Sequence, residues 1–103
     1  MASGILGQAD LAASTLTTVY TVPSATTSSF SVNILNYSSS DVNIRLAIST
    51  GATPTNGEYL EYDVSVPARG VLERTGFVAQ ATKRVVLFSS STGIAVSVYG
   101  YEE

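Results

Sequence analysis

Three carboxylates, Glu58, Glu61 and Asp63, lie close together in this 103-residue chain and are the first side chains to test for chemistry. A glycosidase needs an acid and a base about 5–10 Å apart across the scissile bond. On an extended strand Glu61 and Asp63 share a face at about 6.5–7 Å, so the spacing fits. The competing reading is a solvated strand face whose carboxylates pair with Arg45 or Arg74. The composition favours the second, because Trp is absent and the chain offers no broad indole platform for a sugar. A calcium site built from these carboxylates and loop carbonyls would need an EF-hand or an Asp-rich loop, and neither is present.

Other chemistries fail for want of parts. There is no Cys and no His, which removes thiolate nucleophiles, imidazole ligands and every His-based general base. Ser and Thr are abundant, but a Ser nucleophile would have only Lys83 or a carboxylate as its base. The chain contains neither Gly-x-Ser-x-Gly nor Ser-x-x-Lys. The glycine-bounded stretch 51–57 lacks the Gly-Lys-Ser/Thr ending of a phosphate loop and reads as an exposed strand connection. A net charge of −3 has the wrong sign for a protein held by nucleic-acid phosphates. No run approaches eighteen apolar residues, so no helix is expected to span a membrane. The expectation is a chain with no catalytic residue, no metal and no cofactor, contacting neither nucleic acid nor lipid.

The elements that must position these side chains have a period of two. Residues 41–50 place Val42, Ile44, Leu46 and Ile48 on one face, with Asn43, Arg45, Ala47 and Ser49 on the other. Residues 58–66 repeat this, with Leu60, Tyr62, Val64 and Val66 against Tyr59, Glu61, Asp63 and Ser65. Ile94, Val96 and Val98 alternate with Ala95, Ser97 and Tyr99. Such runs are strands with one face on a core. Phe30, Val32 and Ile34 are in register within another strand, and residues 15–22 are rich in β-branched side chains. The continuous apolar run 85–88 reads as a strand covered on both faces, the second cover coming from another subunit. Residues 71–78 fit either register. Only residues 10–14, with Asp10 as a cap, have the look of a helical turn.

Breakers separate the runs: Pro23-Ser24, residues 38–40, 51–57 and 67–70, and Thr92-Gly93. Seven to eight strands with turn signals between them predict an all-β fold, an antiparallel β-sandwich of jelly-roll type. At 10.7 kDa the chain has room for one core. Residues 1–10 are expected to form an N-terminal arm and residues 11–103 the single sandwich domain.

Several segments, in this order, carry a likeness. They are Gly4-Ile5-Leu6-Gly7-Gln8, then Leu16-Thr17-Thr18-Val19-Tyr20-Thr21-Val22-Pro23, then Val32-Asn33-Ile34 running into Asn36. Glu58-Tyr59-Leu60-Glu61-Tyr62-Asp63, Gly70-Val71-Leu72-Glu73-Arg74-Thr75-Gly76 and Val98-Tyr99-Gly100-Tyr101-Glu102-Glu103 follow. In this the chain resembles a family of small virion structural proteins of tailed bacteriophages, cyanophages among them, over essentially its whole length. The resemblance implies a virion component, either a capsid decoration (cement) protein or a tail, baseplate or fibre part. It also implies that the protein is made in the host cytoplasm and carried in the particle.

The interface candidates follow from the same patterns. Tyr59, Tyr99 and Tyr101 have the parity of outward-facing residues, and a ring with a polar tip suits a partly wet contact. Ile5 and Leu6 are adjacent apolar residues between glycines, expected in an arm that docks on a neighbour. The expected partners are the major capsid protein or other virion proteins, with this chain in a small homo-oligomer, taken as a trimer. A carbohydrate-binding host-recognition module is the alternative from another class, with the same three tyrosines as its platforms.

Overall fold

Eight strands are divided between two sheets in a computed structural model that describes residues 3–103. They are β1 (Ser3–Asp10), β2 (Thr17–Thr21), β3 (Ser28–Asn36), β4 (Val42–Ser49), β5 (Tyr59–Val66), β6 (Val71–Ala79), β7 (Arg84–Ser89) and β8 (Ile94–Glu102). The first sheet runs β1-β8-β3-β6 and the second β2-β7-β4-β5, with every pairing antiparallel. Strands β1 with β8, β2 with β7, β3 with β6 and β4 with β5 form nested pairs, as if one long hairpin had been rolled over itself. That connectivity is the jelly roll, and the all-β sandwich read from the sequence is the fold observed.

The inward positions fill the space between the sheets. β3 alternates without a break, with Phe30, Val32 and Ile34 buried. Val42, Ile44 and Leu46 meet them from β4, Val85 and Leu87 from β7, and Ile94, Val96 and Val98 from β8, with Ile48 packed at the margin. Phe30 sits between Tyr20 and Phe77, with ring centroids 6.1 and 5.5 Å away, which fills one end of the core. Burial of these aliphatic side chains, each worth about 1.5–3 kcal/mol, is what holds the two sheets together.

The pairing irregularities all fall on edge strands. β1 carries an extra residue at Leu6, β2 at Val19, β6 at Thr75-Gly76, and β5 twice, near Asp63 and at Leu60. The central pairs β3–β8 and β4–β7 are continuous. An inserted residue increases local twist and spoils the edge as a template for another strand. Each bulge also reverses the side-chain phase, and this corrects three expectations. Leu60 and Tyr62 are half exposed instead of lining the core, because the bulge at Asp63 (φ 53°) turns the N-terminal part of β5 over. Residues 71–78 fit either register because both are used: Leu72 and Arg74 point in before Gly76, Phe77 and Ala79 after it.

The third correction concerns residues 1–10. Met1 and Ala2 lie outside the described residues, but Ser3–Asp10 is no arm; it is paired with β8 from Ser3↔Tyr101 to Asp10↔Ala95. The bulge sends Ile5 outward while Leu6 packs against the core. Gly7 permits this closure, since a Cβ there would meet the Val19 carbonyl oxygen of β2 at 2.3 Å. On the other open side β5 and β6 face each other, and Arg74 of β6 donates to Glu61 of β5 across the gap. Residues 10–14 form no helix: Leu11 is buried, Ala13 bridges Ser89, and Asp10 ends β1 instead of capping a turn.

The sequence breakers all fall between strands. Asn36, fully buried, organises one end of the sandwich. Its Nδ2 donates to the carbonyls of Ser40 (2.8 Å) and Val66 (3.0 Å), and its Oδ1 accepts from the Ser38 amide (3.0 Å) and hydroxyl (2.6 Å). Leaving such partners buried and unpaired is costly. Asn36→Ala is expected to lower stability by about 2–3 kcal/mol in urea unfolding, with little change in the m-value.

Candidate functional site

The outward faces of the two sheets differ, and each carries a cluster of its own. On the second sheet, Arg45 lies between two rings, its guanidinium carbon 4.2 Å from the Tyr62 centroid and 4.7 Å from that of Phe88. Asp63 holds the same guanidinium through Nε (2.6 Å) and Nη2 (3.3 Å). Tyr59 packs edge-on against Tyr62 at 5.0 Å. The strands place these groups by pairing: Arg45 opposes Phe88, and Ala47 opposes both Val86 and Tyr59. Ala47 and Val86 face away from the core yet are wholly buried. The second cover expected for β7 at Val86 therefore comes from this chain itself.

The first sheet carries a groove of about 400 Å³ on its outer face. Tyr99 and Tyr101 of β8 and Val78 of β6 line it along with Ser29 and Ser31 of β3, and Gly76 stands at the bulge. Gly76 adopts φ 82°, a conformation side-chain-bearing residues rarely take, and the space above it is empty. Tyr101 is 50 % and Val78 66 % exposed. The Tyr99 hydroxyl donates to Glu73 on β6, which holds that ring across the face of the sheet.

Glu58, Glu61 and Asp63 do not converge on one site. The bulge at Asp63 separates it from Glu61: Asp63 lies outward on Arg45, while Glu61 points inward to Arg74. The expected shared face for the two is thereby lost, and the Arg pairing read as the alternative is what forms. Glu58 accepts hydrogen bonds from the Thr55 amide (2.9 Å), the Thr50 amide and hydroxyl (both 3.1 Å) and the Ser49 hydroxyl (3.2 Å). Those bonds, the backbone amides first, pull its carboxyl down to about 2. It pins the loop before β5. Among the described residues no group of three or more acidic, His or Cys side chains could hold a metal ion.

Three tyrosine–carboxylate pairs, Tyr99–Glu73 among them, knit the molecule. Tyr20 donates to Glu102 at 2.5 Å, Tyr37 to both oxygens of Asp10 (2.9 and 3.0 Å), and Tyr99 to Glu73. Burial, then the Glu102 bond, pushes the Tyr20 phenol up to about 12. The Asp10 and Glu73 bonds raise those of Tyr37 and Tyr99.

Of the five interface candidates, Ile5, Tyr99 and Tyr101 come together on the outer face of the first sheet, where Ile5 pairs with Tyr99. Leu6 is turned inward and Tyr59 belongs to the opposite sheet. Sequence reasoning missed Val78, Ser29, Ser31 and the Arg45–Phe88 stack. A Gly within a strand pattern marks a bulge, so Gly76 was the available signal for the groove; nothing local announces the stack, which needs two strands. No protein-family model, curated protein or solved structure matches the chain.

Stability should decline at both pH extremes for separate reasons. Glu58, lowered on folding, stabilises above its usual 4.5 and loses this as pH falls toward about 2. Tyr20, raised on folding, stabilises fully below its usual 10.0, and the effect is lost as pH rises through about 12. Urea midpoints measured across pH should show Glu58→Gln flattening the acid limb and Tyr20→Phe the alkaline limb.

Proposed function

We propose that this chain is a bacteriophage virion structural protein, a capsid decoration (cement) subunit that acts by adhesion and not by catalysis. The reading is supported by the ordered segments in which the chain resembles small phage virion proteins and by an architecture common among viral capsid domains. The observation that carries it furthest is the Arg45 stack. Protein interfaces concentrate their energy in Tyr and Arg held in rigid clusters, and Tyr59, Tyr62, Phe88 and Arg45 form such a cluster on a solvent face. Because Asp63 and the two rings already fix the guanidinium, docking would cost little side-chain entropy.

The mechanism is mechanical. A small homo-oligomer, taken as a trimer, would bridge neighbouring copies of the major capsid protein through contacts repeated over the lattice. The carboxylates support a non-catalytic role, since Glu58, Glu61 and Asp63 are each committed to a structural partner. A tail, baseplate or fibre station differs by its copy number and by its position on the particle.

The test adds purified protein to heads assembled without it and images labelled particles. Wild type is expected to cover the head, while Tyr59→Ser with Tyr62→Ser retains the fold and loses about 1 kcal/mol of stacking. Occupancy should fall at least tenfold for that variant. Undiminished occupancy, or label confined to the tail, contradicts the proposal.

A further inference from the structure

We infer that the groove on the first sheet is a binding site for a neutral saccharide. It goes beyond adhesion to the particle and uses the face opposite the Arg45 stack. The sugar ring has an apolar C–H face and a rim of hydroxyls, and the groove offers a counterpart to each. Tyr101 presents a half-exposed ring whose hydroxyl has no hydrogen bond among the described residues, and Val78 forms the facing wall. The hydroxyls of Ser29 and Ser31 lie between them, and the Tyr99–Glu73 pair adds a fixed acceptor. Its volume of about 400 Å³ falls within the about 300–1,000 Å³ range of small-molecule sites.

Charge selects within that class. The outward positions of the first sheet carry Asp10 and Glu73 and, among the described residues, neither Lys nor Arg, because Arg74 is turned inward to Glu61. Asp10 lies toward the far end of that sheet, but Glu73 stands beside Tyr99 at the groove, and sialylated, sulfated or phosphorylated glycans and nucleic acid would meet its uncompensated carboxylate there. An extended peptide fits poorly as well. Strand addition needs a free row of backbone groups, and β3 and β8 have theirs fully used while the β6 edge is broken at Gly76.

The inference is tested on the purified full chain with an array of neutral glycans, followed by titration of maltotriose, cellotriose, chitotriose and xylotriose monitored by NMR shifts at Val78 and Tyr101. At least one neutral glycan should bind with a Kd of about 1 mM or tighter. Tyr101→Ala should weaken it about tenfold or more, Tyr101→Phe should keep it within about threefold, and anionic counterparts should bind at least about tenfold more weakly. Both variants lie at a half-exposed position, and thermal melts confirm their folding. Absence of binding by every neutral glycan, binding indifferent to Tyr101→Ala, or equal binding of anionic glycans overturns the inference. Head occupancy is read separately with Tyr101→Ala, so failure of the saccharide site is distinct from failure of the decoration role.

Discussion

Eight strands must keep one apolar face turned inward while two twisted sheets close around it, and the rest of the molecule depends on that constraint. The central strands meet it directly: β3 and β8 alternate in register over nine paired positions, from Ser28↔Glu102 to Asn36↔Ile94. The edge strands cannot follow the twist without slipping, and each takes up the mismatch with one inserted residue, or two in β5. A bulge costs a ladder position but leaves the core face intact, which is the larger energy.

The Arg45 stack and the groove are consequences of those bulges. The insertion near Asp63 turns Tyr62 outward onto Arg45 and leaves Glu61 facing Arg74. The insertion at Thr75-Gly76 opens the groove beside Tyr99 and Tyr101. The same irregularities make all four sheet edges poor templates for strand addition, so contacts with other molecules are directed to the broad faces.

Those faces are electrostatically unlike. The second sheet presents Arg45, balanced by Asp63, with Arg84 further along β7. The first presents carboxylates whose partners are tyrosine hydroxyls, which hold the groups in place without cancelling their charge. The division leaves one face rich in Arg and aromatic rings and another lined by tyrosine and serine hydroxyls beside carboxylates.

The sequence by itself determined the class of fold, the positions of the turns and the uninterrupted strands, because period-two burial and breaker residues are local properties. Val42, Ile44 and Leu46, and likewise Ile94, Val96 and Val98, are buried as their alternation requires. The absence of Cys and His also bounds the chemistry. Where alternation runs through a bulge it misleads: it places Leu60 and Tyr62 in the core and leaves 71–78 open to either register, and the short apolar pair Ile5-Leu6 between glycines makes residues 1–10 resemble an arm. Whether a strand lies at a sheet edge, and so absorbs an inserted residue, depends on pairing partners far away in the chain. Tertiary structure alone decided which way Tyr62 points, what Arg45 stacks against and where the groove opens, since each is set by the meeting of strands that no local pattern links.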